Sequence, residues 1–397
     1  MSGLEKNNSE AVMNHIKALA YNRSASSIGE SKAISYIENE IEESGITSNR
    51  HYFKWMNRVS LLIRGGYLLI LLNLIIFRQF LIVVIFFFSK QLFKKTREMS
   101  LLPKESSKNL YSYISNNNDN LKRPVIIFSA HYDSESTIIP YRLQRIIFNF
   151  YWIVIFFYVG LIFFLTFSFI MGLLNPIANF EFFLTIDITV SLFGIFVSVP
   201  LLLLVLIERE TSGSIDNASG VAILIELAKY AKQNPLNNVD LLFIWTGAEE
   251  GGLKGSKKFC KKYFEVLNEK YDLNNSYNIN IDMVGSYIGL LNKNGLIRRK
   301  ANSKINKIIQ SAAKKLQIPV ESFSKILGIK SDHKSFKKKI RRRKRGFQIA
   351  CIHSDKDSKY IHSKKDTPDK CSKEVLNNCL YLLEEVIESI DDDFEID

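Results

Sequence analysis

The stretch Leu241-Leu-Phe-Ile-Trp-Thr-Gly-Ala-Glu-Glu250 constrains the fold more than any other part of the chain. A short, uncharged apolar run ended by glycine predicts a strand buried on both faces, the kind found in the middle of an α/β sheet. It stops abruptly in two adjacent acids. In open sheets of this class ligands collect beyond the carboxyl ends of the strands. Two neighbouring carboxylates at such an edge repel each other and lose hydration, so the position calls for a cation or a proton.

Other segments supply candidate ligands in the same way. Val125-Ile-Ile-Phe-Ser-Ala130 is a second buried-strand pattern and delivers His131-Tyr-Asp133 at its end. Ser214-Ile-Asp216-Asn-Ala-Ser-Gly220 is a turn-forming cluster that opens a helix with Val221, Leu224, Leu227, Ala228 and Ala231 along one face. Tyr277-Asn-Ile-Asn-Ile281 is a short strand ending in Asp282, and a later loop carries His362. A helical pattern runs from about Glu10 to Gly45, with Ile34, Ile37 and Ile41 on one stripe and Gly45 as its stop, and a helix from about Lys373 to Ile390 closes the domain.

Taken singly, each polar residue has a bland reading: a core histidine, a helix cap, a turn aspartate, a loop histidine, a solvated helix start. All of them would have to be bland at once, each at a strand end or an adjoining loop. His131, Asp216, Glu250, Asp282 and His362 form a mixed N/O donor set without thiolate, a composition expected for catalytic zinc and tolerated by manganese or cobalt. Five donors exceed one open zinc site. If Asp216 bridges, they divide into His131, Asp216 and Asp282 on one metal, and Asp216, Glu250 and His362 on the other. Such a pair of zinc ions activates water and polarises a carbonyl, with Glu249 left over to carry the proton. Asp133 is placed to hold the other nitrogen of His131 and fix its tautomer.

The 397-residue chain is uneven in composition. Ile147 to Leu173 and Phe182 to Ile207 are each long and apolar enough to cross a bilayer, and predict a transmembrane hairpin inserted at 141–208. A further apolar insertion, 58–95, reads as a hairpin or as a segment lying on the membrane surface. Lys and Arg flank these segments on one side, which predicts an integral, multi-pass membrane protein with its soluble domain facing the cytoplasm. Domain parts follow as 1–57, 96–140 and 209–397 around the two insertions. Met1 to Arg50 is mostly polar and predicts no signal peptide. Cys260, Cys351, Cys371 and Cys379 show no CxxC spacing and are expected as free thiols. The formal net charge of +13 owes much to Lys337-Lys-Lys-Ile-Arg-Arg-Arg-Lys-Arg345. That cluster predicts an anionic lipid partner at the membrane, with an acidic substrate as the other reading. Nucleic acid is not expected, because no aromatics interleave the cluster.

These motifs together resemble one family. Ser129-Ala-His131-Tyr-Asp133-Ser134, Asp216-Asn-Ala-Ser-Gly-Val221, Gly247-Ala-Glu-Glu250 with Gly252-Leu-Lys-Gly-Ser256, Asn280-Ile-Asp-Met-Val-Gly285, Ser331-Asp-His333 with Phe336, and His362 with Asp366-Thr-Pro-Asp369 are similar, in order, to metallopeptidase family 28. These are di-zinc aminopeptidases with carboxypeptidase and glutaminyl cyclase relatives. Arg23 to Gly45 also looks like the family's opening helix. The resemblance implies a three-layer α/β/α sandwich around a mixed, mostly parallel sheet, the ligand division above, Glu249 as general base and peptide as substrate. It implies an aminopeptidase first, and a carboxypeptidase, a cyclase or an inactive membrane-associated binding module as alternatives. The inserted apolar segments depart from the family, as does Lys334 to Arg345, where Gln348 stands in place of an expected proline.

Overall fold

The computed structural model describes residues 3–55, 105–115, 122–135, 211–294, 303–325 and 329–394, with single helical positions between 146 and 192. The chain divides into two compact units. One comprises Met1–Trp55, Ser106–Ser136 and Glu210–Asp397, the other Met56–Glu105 and Thr137–Arg209. The expected insertions at 58–95 and 141–208 fall in the second unit and, apart from those single positions, outside the described residues. Among the described residues no helix is long and apolar enough to cross a membrane.

The frame of the first unit is an eight-stranded mixed sheet: β1 (Asn49–Trp55), β2 (Glu105–Ile114), β3 (Val125–His131), β4 (Asp240–Thr246), β5 (Tyr277–Ile281), β6 (Ile288–Asn294), β7 (Val320–Lys325) and β8 (Gln348–Ile352). The order is β1-β2-β4-β3-β5-β8-β6-β7. β4, β3, β5 and β8 run parallel, and β2 and β6 join them antiparallel. Every residue of β3, β4 and β5 is buried; the apolar runs of β3 and β4 require it, and in alternating β5 Asn278 and Asn280 are buried with partners in Ile127 O, Ser129 and Ser331.

Alternation along these strands feeds two cores. Val125, Ile127, Leu242 and Ile244 share one cluster with Phe259, Phe264 and Leu267 of α4 (Lys254–Lys270), Phe336 of the short α6 (His333–Phe336) and Ile340. Phe128 and Phe243 stack on each other with ring centroids 5.5 Å apart. α3 (Ser219–Gln233) packs over β3, β4 and β5, and α1 (Gly3–Ala18) and α7 (Lys373–Asp392) pack on it. α5 (Ser303–Lys315) lies against α7.

The helical pattern read from about Glu10 to Gly45 is two helices, α1 and α2 (Ile28–Glu42). The break falls in Tyr21-Asn-Arg-Ser-Ala-Ser-Ser27, whose short polar side chains favour caps and turns over helix interior. Ser27 caps α2 by accepting from Glu30 N at 3.1 Å, and Glu30 Oε2 accepts from Ser26 N at 2.9 Å, a reciprocal cap. Gly45 follows α2 at φ 72°, the left-handed turn that glycine adopts without steric cost. The four cysteines are buried and free.

Candidate metal centre

The parallel strands bring their carboxyl ends to one edge, and the polar residues singled out above gather there. His131 is the last residue of β3 and pairs in register with Thr246, the last residue of β4. The chain turns through Gly247 and Ala248 to Glu249 and Glu250. Asp282 follows β5, Asp216 lies at the entrance to α3, and His362 lies in the loop after β8. Three of the turns adopt left-handed backbone at a non-glycine residue, at Ala248 (φ 51°), Met283 (φ 69°) and His362 itself (φ 52°). Each such conformation costs on the order of 1 kcal/mol, so the surrounding packing dictates it.

The two oxygens of Asp216 point to different partners. Oδ1 lies 3.1 Å from His131 Nε2, which is 3.5 Å from Asp282 Oδ1. Oδ2 lies 3.2 Å from His362 Nε2, which is 3.0 Å from Glu250 Oε1. Within each trio the potential ligand atoms all lie within 4.8 Å of one another. His131 with Glu249 and Glu250 forms a third such group, so Glu249 borders the site.

Electrostatics give the fit test for a metal. Asp216, Glu249 and Asp282 are buried and Glu250 nearly so, around two imidazoles. If all four acids were ionised, they would leave negative charge uncompensated even with both rings protonated, in a medium that disfavours it. Burial pushes Glu249 well above the carboxylate range and Glu250 up to about 8. Burial also works against the charge on Asp216, but hydrogen bonds from His131 and His362 outweigh it and hold Asp216 down to about 2. Among the described residues no donor is aligned on buried Glu250 Oε1, although His362 Nε2 lies 3.0 Å away. Three N/O donors per trio, a shared carboxylate and two carboxyls that burial makes hold protons unless a cation takes their place suit a pair of divalent ions of the zinc type.

A further layer fixes these groups, and here the geometry refines the expectation for Asp133. His131 Nδ1 meets the main-chain carbonyl of Asp133 at 3.1 Å, while the carboxylate Oδ1 is 3.7 Å away. A proton on Nδ1 therefore leaves Nε2 free to ligate. The carboxylate instead accepts from Glu249 N at 3.0 Å and Glu250 N at 3.1 Å, which ties β3 to the turn after β4. A carboxylate two residues from an imidazole looks like its partner in sequence; only the fold shows that its oxygens turn toward another strand's amides.

Several further groups hold these residues in place. Asp366, four residues after His362, accepts from Ile215 N at 2.6 Å and Asp216 N at 3.2 Å. Fully buried Arg23 donates to the carbonyls of Tyr132 (2.8 Å), Ser212 (2.7 Å) and Gly213 (2.9 Å), as well as to Leu19 and Tyr21. The loop leading to Asp216 is thus held from its carbonyl side by Arg23 and from its amide side by Asp366. His353 Nδ1 meets Asp282 O at 3.0 Å, and Asn217 Oδ1 accepts from Met283 N at 3.0 Å. In the sequence Asp366 is marked only by its place in the family motif that follows His362, and Arg23, alone in a serine-rich turn, only by the family's opening motif.

Residues 198–387 match the profile of Peptidase family M28. The chain carries a family M28 peptidase domain. The matched segment includes Asp216, Glu249, Glu250, Asp282 and His362, and β3 with His131 precedes it. Over 74 residues the M28 chain is 39% identical to Aminopeptidase YwaD of Bacillus subtilis (strain 168), a match covering 19% of this chain and 15% of that protein. In fold it is similar to an aminopeptidase from Aneurinibacillus sp. strain AM-1 (TM-score 0.57, 16% identity, 96% of this chain and 93% of that one). It is also similar to BSAP, a zinc aminopeptidase from Bacillus subtilis (0.55, 14%, 96% and 94%), and to a glutaminyl cyclase of an Acidobacteriales bacterium (0.55, 16%, 97% and 95%).

Proposed function

We propose that this protein is a zinc-dependent exopeptidase that removes N-terminal residues from peptides. The carrying observation is the division of donors about Asp216: Oδ1 faces His131 and Asp282, Oδ2 faces His362 and Glu250, and Glu249 borders the site as the acid outside both trios. Its relatives include an aminopeptidase and a zinc aminopeptidase, in agreement with that chemistry.

His131, Asp216 and Asp282 would hold one ion, and Asp216, Glu250 and His362 the other. When bound, such a pair lowers the pKa of water and polarises the scissile carbonyl. The Glu249 carboxylate takes the proton from the attacking water and returns it to the departing amine. Asp133 keeps Glu249 and Glu250 at fixed separation through their amides, and the Asp133 carbonyl keeps His131 in the tautomer whose Nε2 faces the site. Arg23 and Asp366 hold Asp216 between the trios.

The test is a chelated and reconstituted enzyme on aminoacyl reporter substrates and short peptides. Chelation is expected to remove hydrolysis and zinc to restore it. Glu249→Gln is expected to lose at least about 100-fold in kcat, the usual contribution of a proton-transfer group, with zinc stoichiometry kept. Full activity in that variant would refute the assigned role. Shortening from the carboxyl terminus, or cyclisation without hydrolysis, would move the chain to another reaction on the same fold. We further propose that segment 141–208 anchors the protein in a membrane with the M28 domain on the cytoplasmic side. Its apolar composition supports this, as does the exposure of Phe156 (77%) and Leu192 (60%). Release of the full chain from membranes by alkaline carbonate would overturn it.

A further inference from the structure

The chain's positive charge is concentrated in two segments that begin beside the metal centre and run from there to the opposite edge of the sheet, where Lys344 lies with Lys122, Tyr271 and Asp272. Between Lys330 and Arg345 there are ten Lys or Arg side chains against one acid, Asp332. α4 carries six lysines against Glu265 and Glu269. The excess in these two segments equals the formal net charge of the entire chain, +13, so the remainder is electrically balanced.

The fold puts the two segments together. α4 packs against α6 and the turn that follows it, and Ser256 Oγ meets Ser335 Oγ at 2.8 Å. Lys257 and Lys334 are the chain neighbours of that buried serine pair. Both segments also begin at the site. Leu253 N donates to Glu249 O at 2.6 Å and Lys257 N to Leu253 O at 3.1 Å, so Lys257 stands one helical turn beyond the Glu249 turn. Its ammonium donates to Gly252 O at 2.7 Å. Asp332, between Lys330 and Lys334, is fully buried and bonded to the Thr246 hydroxyl at the end of β4.

The crowding has an electrostatic cost. Burial lowers the Lys257 ammonium first, Lys338 and Lys330 lower it further, and Glu249 and Asp332 pull the other way. Lys334 is lowered by burial and then by Lys330 and Lys337. Ammonium groups gathered this closely repel one another unless an anion joins them. Lys257, Lys330 and Lys338 are exposed to solvent, where an anion can reach them.

Building on the peptidase reading, we propose that this basic rim selects acidic peptides, those with Asp or Glu side chains close to the scissile bond. The rim adjoins the turn that carries Glu249, whereas a surface adapted to lipid has no need to sit there. A rim of one sign beside a closed-off site raises the local concentration and arrival rate of ligands of the opposite sign by about 10- to 1,000-fold.

The experiment compares kcat/KM of the zinc-loaded full chain on three peptides sharing an N-terminal leucine and followed by Glu-Glu, Gln-Gln or Lys-Lys. The acidic peptide is expected to exceed the basic one at least about tenfold at low ionic strength, with the ratio shrinking as salt screens the rim. Replacing Lys257, Lys334 and Lys338 together by Gln should bring the ratio toward one. If that variant does not fold, the salt dependence of the unmodified chain decides. Hydrolysis of all three at equal efficiency would overturn the proposal and leave the peptidase reading standing. Charge-blind hydrolysis with tight binding to phosphatidylserine vesicles would overturn it in favour of a lipid role. No hydrolysis of any peptide by zinc-bound protein would overturn the peptidase reading itself.

Discussion

Replacing Asp366 by Asn tests whether a residue outside the donor set controls that set. The carboxylate accepts two buried backbone N–H groups, from Ile215 at 2.6 Å and from Asp216 at 3.2 Å. Asparagine keeps one acceptor oxygen and turns an NH2 group toward the second amide. One hydrogen bond is lost, a buried donor is left facing another donor, and the cost is about 1–3 kcal/mol. Relief of the buried charge offsets part of this, so a loss of about 1–2 kcal/mol in folding stability is expected, seen as a lower denaturant midpoint at unchanged slope. The larger effect is on metal. Asp216 offers an oxygen to each trio, so displacing its backbone disturbs both sites together. Loss of an outer hydrogen-bond partner weakens metal binding by about 10- to 100-fold. The assay is competition for zinc against a chelator of known affinity, run on folded protein well below the denaturant midpoint. Zinc affinity within about twofold of the unmodified chain would refute the reasoning, because Asp216 would then be held without Asp366.

Glu384 and Gly220, both outside the donor set, give two further outcomes. Burial first, then Glu388 and Glu226, raises Glu384 of α7 from 4.5 to about 7, and its Oε1 is buried without a hydrogen bond among the described residues. The folded chain therefore holds this proton more tightly than the unfolded chain, so stability falls as pH rises between about 4.5 and about 7 and is flat above. Glu384→Gln should remove that slope and raise stability at pH 8 by about 1–2 kcal/mol after solvent screening, read from denaturation across pH. At Gly220 a side chain would meet Asn217 Oδ1 at 2.5 Å and the Ile281 carbonyl at 2.8 Å. Gly220→Ala should therefore destabilise by about 2 kcal/mol or more, and an unchanged melting temperature would contradict the close approach of α3 to β5.

Much of the site is legible in the sequence because strand ends are. Apolar runs such as Val125–Ala130 and Leu241–Trp245 announce central strands, and in a parallel sheet residues just past such runs share one edge. That is why His131, Asp216, Glu249, Glu250, Asp282 and His362, spread over more than half the chain, can be named together before any fold is seen. The helical pattern of the N-terminal region is also visible, but not its division into α1 and α2, since short polar residues are compatible with a loop, a cap or an exposed helix face. The basic clusters of α4 and 330–345 are equally plain in the sequence. The meeting of their first turns beside Glu249 is not.

By itself the sequence determined the alternation of buried strands and helices, the residue types at the strand ends and hence the chemistry available there, because burial pattern and donor type are local properties. The tertiary structure alone decided the pairings. It assigned the Asp133 carboxylate to the amides of Glu249 and Glu250 and enlisted Arg23 and Asp366 to hold the Asp216 loop, whereas the division of donors about Asp216 was already an expectation of the sequence. Most of those contacts join groups far apart in the chain, set by how strands and helices pack, and no local pattern records which distant donor meets which acceptor.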